Sequence, residues 1–386
     1  MRESRELKPL FIATFLRGIS STIIRVFLPV YAFTMGISID NIGFIVTIAT
    51  AISVLILPIM GYLTDAVSRR LTLILSTTFL ALSSTLLVLY STRITILTAF
   101  ILFFASFFSW QTGRGALVVD EVPENARGKV FAFLSLAFWI PRTIIPYVAG
   151  VIITYLGYNY VFLLSTLSSI VAILMLASIP KKTSDNEKHY LSVKEMLRGI
   201  IPSKREIPLY VILSLDRIGW TLWLPLLNPL MKAELALSED KIGLLNTIMN
   251  IATILVLLPS GKIVDNYGWK TGLLLSEVSI IIGLLPLILS VNIYYLTVLM
   301  IAIGISIGLW LPSFNTAIPS IINNSIEAGR SYSKANMYRT IASIPSPWIG
   351  GALYTILPIY PLIVGCIILI VNAILIALKI DKEKST

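Results

Sequence analysis

Six arginines and two carboxylic acids interrupt long apolar runs of this chain: Arg17, Arg25, Arg114, Arg142, Arg217, Arg339, Asp216 and Glu277. A cation near the centre of a bilayer costs about 2.5–3.5 kcal/mol even on a lenient scale. Each must therefore face a protein interior or a wet cavity, or snorkel to the surface. Two chemistries would account for such residues. A guanidinium fork suits a carboxylate or phosphate, and a buried carboxyl can take up and release a proton. The structural alternative is that arginines brace helices through backbone carbonyls. Asp216 would then neutralise the adjacent Arg217, although neighbours on a helix diverge by about 100°.

These side chains need elements to hold them, and composition says which. The chain has 386 residues, 56% hydrophobic and 13% charged, with mean hydropathy +0.87. A soluble protein of this size needs a more polar exterior, so the solvent for most of the chain is lipid. The apolar runs are continuous, without the alternation of a membrane β-barrel, which leaves helices. The net charge of +10 is read as loop charge set by membrane topology, so nucleic acid is not an expected partner. One cysteine, Cys366, and one histidine, His189, leave no disulfide framework and little metal or general-base chemistry. Neither a cofactor nor a metal is expected. The first apolar run is too long and too arginine-rich for a cleavable signal peptide.

Twelve spans are expected, at about 9–34, 41–60, 71–90, 95–118, 130–155, 159–179, 207–231, 241–260, 271–290, 295–318, 335–356 and 360–379. Residues 1–180 and 207–386 form two six-helix bundles. The linker 181–206 joins them and includes a short helical pattern at Leu191–Arg198. With both termini cytoplasmic, 21 of the 30 lysines and arginines fall in inner segments and three, Arg93, Lys232 and Lys241, in outer loops. That bias sets the orientation.

The halves repeat. At a shift of 200 residues, Arg17 falls on Arg217, Pro29 on Pro229, Trp110 on Trp310 and Gly150 on Gly350. Gly61 and Asp65, in the polar turn that ends with Arg69 and Arg70, fall on Gly261 and Asp265, in a second turn that ends with Lys270. Matches of Leu or Ile mean little in an apolar chain, but matches of Arg, Asp, Trp, Pro and Gly at one shift mark a duplication. Such repeats are a signature of secondary transporters.

The six-linker-six layout and the turn together resemble the major facilitator superfamily, over essentially the whole chain. The family's turn reads Gly-x-x-x-Asp-(Arg/Lys)-x-Gly-(Arg/Lys)-(Arg/Lys). Gly61, Asp65, Arg69 and Arg70 match it, whereas Ala66 and Ser68 depart and the second copy keeps Gly268. The segment Asp120-Glu-Val-Pro-Glu-Asn-Ala-Arg127-Gly128 is similar to the family's loop between spans 4 and 5. On span 4, Gln111-Thr-Gly113-Arg114-Gly115-Ala116 partly resembles a drug-antiporter signature, as does Pro146-Tyr-Val-Ala149-Gly150 on span 5. On span 7, Arg217-x-Gly219-x-x-x-Trp223-x-Pro225 is similar to that of organophosphate exchangers.

The resemblance implies an all-α, pseudo-symmetric membrane protein that moves a small molecule by alternating access. It implies a multi-pass monomer of the cytoplasmic membrane and no enzymatic activity. Spans 1, 4, 7 and 10 would line the cavity. The expected substrate-binding set is Arg17, Ser21, Arg25, Arg114, Arg217, Trp220, Asn228, Trp310 and Asn315. On helical spacing Arg17, Ser21 and Arg25 form one drifting stripe. Asp216 and Glu277 are the proton-coupling candidates. Gly61, Asp65, Arg69, Arg70, Asp120, Gly261, Asp265 and Lys270 would gate, with the turn's cations pairing to Asp120 at the end of span 4. Three functions stay open: proton-coupled export, import or exchange of organic anions, and a transport-inactive receptor of the same fold.

Overall fold

The computed structural model describes residues 8–122, 124–179, 201–321 and 325–379. Within these it does not describe the side chains at 65, 66, 112, 115, 116, 119–121, 124–129, 131, 132, 288, 319, 321, 325–333 and 379. The expected helical pattern at Leu191–Arg198 lies outside the described residues. Among the described residues, thirteen helical stretches run in order: α1 Lys8–Thr34, α2 Ile39–Tyr62, α3 Arg69–Leu89, α4 Arg93–Glu121, α5 Glu124–Leu156, α6 Tyr158–Ala177 and α7 Ile207–Thr221, followed by α8 Leu224–Leu235, α9 Glu239–Leu289, α10 Ile293–Ile321, α11 Ser325–Ser343, α12 Ser346–Ile356 and α13 Tyr360–Lys379. Among the described residues, ten helical stretches are long and apolar enough to cross a membrane. Leu55 is 74% exposed and its repeat mate Leu255 is 69% exposed, a surface suited to lipid rather than water.

Helix boundaries follow the punctuation in the sequence. Ser68 caps α3 by accepting a hydrogen bond from Leu71 N, and Thr92 caps α4 through Thr95 N. The α7–α8 break falls at Trp223, just before Pro225, and the α11–α12 break falls at Ile344–Pro345. The expected single spans 207–231 and 335–356 are therefore each two helices. The expected spans 241–260 and 271–290 are two helices, carried here under the one label α9, that meet at a kink at Gly268, where φ is 81° and ψ is 160°. A positive φ with an extended ψ breaks the helix there and turns the chain, and glycine takes that conformation without strain. At the matching place in the first half, α2 passes into a π turn, Leu63–Val67, and stops.

The chain divides into two compact units: Met1–His189 with Leu237–Thr247, and Tyr190–Ala236 with Ile248–Thr386. In the first, α1 packs on α5 and α6, while α4 packs on α2 and α3. In the second, α7 packs on α11 and α13. Small residues permit these approaches. A Cβ on Gly18 of α1 would sit 2.5 Å from Pro141 Cγ of α5, and one on Gly350 of α12 would strike the Leu222 carbonyl.

Hydroxyls join the helices where apolar contact cannot. In the first unit Ser106 Oγ donates to Ser76 O at 2.6 Å, and in the second Ser276 Oγ donates to Ser306 O at 3.0 Å. Ser53 Oγ donates to Ala49 O in its own helix at 2.6 Å and reaches Ile101 O of α4 at 3.5 Å. Ser260 Oγ lies 2.8 Å from both Leu257 O in its own helix and Gly308 O of α10. Gly350→Val should cost about 1–3 kcal/mol, because a backbone carbonyl cannot yield to the added methyls. Gly61→Ala, with nothing within 4 Å of the new Cβ, should not. Melting temperatures of the two variants in detergent provide the check.

Candidate functional site

Each intramembrane charge has its own surroundings. Arg17 is 4% exposed. Its Nη2 donates to Ser106 O at 2.8 Å and Ser106 Oγ at 2.7 Å, while Nη1 reaches Ser76 O at 3.3 Å and Thr77 Oγ1 at 3.4 Å. Its guanidinium lies 4.5 Å from the centre of the Trp110 ring. The fork thus ties α1 to α3 and α4. The expected stripe of Arg17, Ser21 and Arg25 divides here, because eight residues of helix turn the two arginines about 80° apart. Ser21 Oγ makes one long bond, 3.4 Å to Gly18 O. Arg25 Nε and Nη2 are buried with no hydrogen-bond partner.

Arg114, half-buried on α4, gives Nη2 to Gln111 Oε1 at 3.3 Å, while its Nε has no partner. Arg142 of α5 stacks on aromatic rings, 4.9 Å from the centre of Trp139 and 5.5 Å from that of Phe138. Neither Arg142 nor its aromatic bed was in the expected binding set. The signal was available, since Phe138 and Trp139 lie one helical turn before it.

In the second unit the expected Asp216–Arg217 ion pair is replaced by another. Asp216 Oδ2 accepts from Arg339 Nη2 of α11 at 3.3 Å, and both residues are buried. Adjacent side chains leave a helix in different directions, so the acid reaches across to α11 more easily than along its own helix. Arg339 lies 4.3 Å from the centre of the Trp310 ring and 5.1 Å from that of Phe314. Asp216 Oδ1 makes no hydrogen bond of good geometry, although the indoles of Trp310 and Trp220 lie close enough to act on it. Arg217 Nε has no partner.

Glu277, the second proton-coupling candidate, is 4% exposed. Its Oε1 accepts from Asn372 Nδ2 of α13 at 2.7 Å, while Glu277 Oε2 and Asn372 Oδ1 have no partner. The charge of Asp216 acts on it. Trp220 stacks on Trp223 at 5.5 Å, and Trp310 on Phe314 at 4.5 Å. Asn228 is half-buried on α8, and Asn315 is exposed on α10.

The polar turns contain one unexpected contact. Arg70 gives Nε to Leu176 O at 3.1 Å and Nη2 to Ala177 O, capping the last turn of α6. The side chains of Asp65 and Asp120, its expected neighbours in a latch, lie outside the described residues, and Arg69 begins α3. In the second turn Gly261 is open to substitution and Asp265 is exposed. Sequence reading also missed Glu206. Its carboxylate accepts from Lys334 Nζ at 3.0 Å, Tyr210 Oη at 2.8 Å and Ser203 N at 2.7 Å. This joins the start of α7 to α11. Among the described residues no group of three or more His, Cys, Asp or Glu could hold a metal.

Apolar helices in two units, with charges drawn inside them, mark a multi-pass integral membrane protein. The sequence profile of the Major Facilitator Superfamily matches residues 10–207 and 209–386, and the chain belongs to that family. It is a multi-pass membrane transporter and not an enzyme. It is 23% identical over 360 residues to the multidrug resistance protein MdtG of Citrobacter koseri, covering 90% of this chain and 88% of the relative. The MdtG protein of Escherichia fergusonii is 24% identical over 360 residues, with the same coverage.

Solved structures share the fold at lower identity. The nucleoside transporter NupG is similar with a TM-score of 0.77 and 13% identity, covering 96% of this chain and 98% of that one. A D-xylose-proton symporter is similar with a TM-score of 0.74 and 14% identity, covering 95% of each.

Removing one member of a buried ion pair strands the other. Arg339→Gln is therefore expected to destabilise the protein by about 3–5 kcal/mol. The double variant with Asp216→Asn should lose less than either single variant, as read by thermal unfolding in detergent.

Proposed function

We propose that this protein exports a small organic molecule by proton-coupled antiport, working by alternating access in the cytoplasmic membrane. The observation that carries the reading is the end-to-end similarity to proteins named for multidrug resistance. In this reading there are twelve spans. α9 counts as two spans meeting at Gly268, while α7 with α8 and α11 with α12 count as one each. Residues 1–180 and 207–386 act as the two bundles joined by the linker 181–206, with both termini in the cytoplasm.

The second unit carries the proton. Glu277 and Asn372 already make half of an acid–amide pair through Asn372 Nδ2 and Glu277 Oε1. The two atoms left unpaired are Glu277 Oε2 and Asn372 Oδ1. One proton on Oε2 would close the second bond and satisfy both, since a protonated carboxyl donates where a carboxylate cannot. Loss of that proton leaves a charge that Asp216, already held by Arg339, does not relieve. Proton occupancy of Glu277 thereby favours one environment over another, as antiport requires.

Of the expected cavity residues, Arg17 serves as a brace on this view. Ser21, Arg25, Arg114, Arg217, Trp220, Asn228, Trp310 and Asn315 remain with the substrate path. Gly61, Asp65, Arg69, Arg70 and Asp120, with Gly261, Asp265 and Lys270, form the cytoplasmic gate.

Glu277→Gln offers an amide donor in place of the protonated oxygen, so it should fold normally. In proteoliposomes it should retain substrate exchange and lose the response of flux to an imposed pH gradient. A variant that still answers the gradient would remove Glu277 from the mechanism. Asp65→Asn should insert at wild-type levels and transport at a small fraction of the wild-type rate. Full activity in that variant would rule out the gate reading.

A further inference from the structure

Three buried polar residues of the second unit lie at one level. Ile212 of α7, Leu273 of α9 and Ile376 of α13 pack in one apolar cluster, with Trp310 of α10 against it. Farther along, a Cβ on Gly219 of α7 would sit 2.7 Å from Leu369 Cδ2 of α13, so these two helices run antiparallel. Asp216, four residues on from Ile212, therefore comes level with Asn372, four residues back from Ile376. Glu277, four residues on from Leu273, joins the same level by accepting from Asn372 Nδ2 at 2.7 Å. Asn372 is fully buried, and each of the two acids is 4% exposed.

The two carboxylates have different neighbours. Asp216 accepts from Arg339 Nη2 at 3.3 Å, and that guanidinium lies over the ring of Trp310, which packs on the same apolar cluster. The charge of Arg217 also acts on Asp216. Glu277 meets an amide, which carries no charge to answer its own. The charge of Asp216 acts on it.

The other packed elements bring little charge to this level. α10 has no charged residue, and neither has α13 between Pro361 and Leu378. On α9 itself, Lys270 is seven residues back towards the polar turn, about 10 Å along the helix. On α11, Tyr338 precedes Arg339 and stacks on Tyr210 of α7 at 5.6 Å.

An ion pair stabilises charge on one carboxyl, and a like charge nearby disfavours charge on the other. Environments that differ in this way assign different roles to two acids in one site. We infer that Asp216 acts through Glu277: kept ionised by Arg339, it is the positioning residue that holds the proton on Glu277. With Arg339 withdrawn, Asp216 would take up a proton, and the repulsion that keeps Glu277 protonated would end. α11 stops at Ser343, four residues beyond Arg339, so the guanidinium rides beside a break in its span. The inference deepens the antiport reading by naming what controls Glu277. It rests on that reading only for the claim that the controlled proton is exchanged for substrate.

Infrared titration of the purified full-length protein in detergent tests it, because protonated carboxyls absorb apart from ionised ones. The band that Glu277→Gln removes reports Glu277. Asp216→Asn should weaken the proton affinity of Glu277 at least tenfold, moving the midpoint of that band down by about one pH unit or more. The double variant Asp216→Asn/Arg339→Gln, which strands no charge, should move it in the same direction. Arg339→Gln alone should add a second protonated-carboxyl band at neutral pH, one that is missing from the double variant.

A Glu277 midpoint unmoved by Asp216→Asn, or moved upwards in the double variant, would overturn the inference. So would the absence of any carboxyl band that Glu277→Gln removes. An Asp216 that only braces helices would lower the melting temperature and leave the midpoint in place. A folded Arg339→Gln protein without the second band would remove Arg339 as the switch. If that variant does not fold, Asp216→Asn and the double variant decide. Flux separates the two claims. Midpoints that shift as expected, in a protein whose flux ignores an imposed pH gradient, leave the control of Glu277 standing and remove antiport. A gradient response that Glu277→Gln abolishes, with midpoints unmoved by Asp216→Asn, leaves antiport and removes the control.

Discussion

A charge or polar group placed among apolar helices must be met by another group of the protein, because the bilayer supplies none. That requirement organises both units. Arg17 meets it by reaching from α1 to the carbonyls and hydroxyls of α3 and α4, and by lying over Trp110. Arg339 meets it with the Asp216 carboxylate and the face of Trp310. Each interaction fixes three elements at once, so helix positions in each unit follow from where the guanidiniums are satisfied. The exceptions include Arg25 in one unit and the Glu277–Asn372 pair in the other.

The duplication explains the frame and not the charges. Ser76 with Ser106 recurs as Ser276 with Ser306 at the same 200-residue shift. The indole at Trp110 recurs at Trp310, and the packing of α1 on α5 and α6 recurs as that of α7 on α11 and α13. The cation over the indole differs. It comes from α1 in the first half and from α11 in the second, so the Arg17–Arg217 match in sequence is not a match in role. The two copies differ in how buried charge is met: Arg25 in one keeps two nitrogens without a partner, and the other holds one ion-paired and one amide-bound carboxylate.

Much of this could be read from residue order. Span positions, the repeat and the polar turns follow from hydropathy, Gly, Pro and Asp, which act locally. The break before Pro225 and the turn at Gly268 lie where those residues permit them. The partner of each buried charge could not be read that way. Arg17 contacts residues 59 to 89 positions away, and Asp216 meets a residue 123 positions away. Such partners are chosen by which helices touch, and apolar periodicity is nearly blind to that when every face of a helix is apolar. The serines, read as ordinary small residues, turned out to form the bonds between helices for the same reason.

Those serine hydroxyls have a mechanical consequence. Ser260 bonds a carbonyl of its own helix and one of the neighbouring helix at equal 2.8 Å distances, and Ser53 holds its own helix closely while the neighbour waits at 3.5 Å. A hydroxyl with two acceptors in reach can pass from one to the other without being left bare in an apolar medium. Helices joined in this way can slip against each other by small steps while every polar group stays answered. The seams α2–α4 and α9–α10 each carry such a hydroxyl.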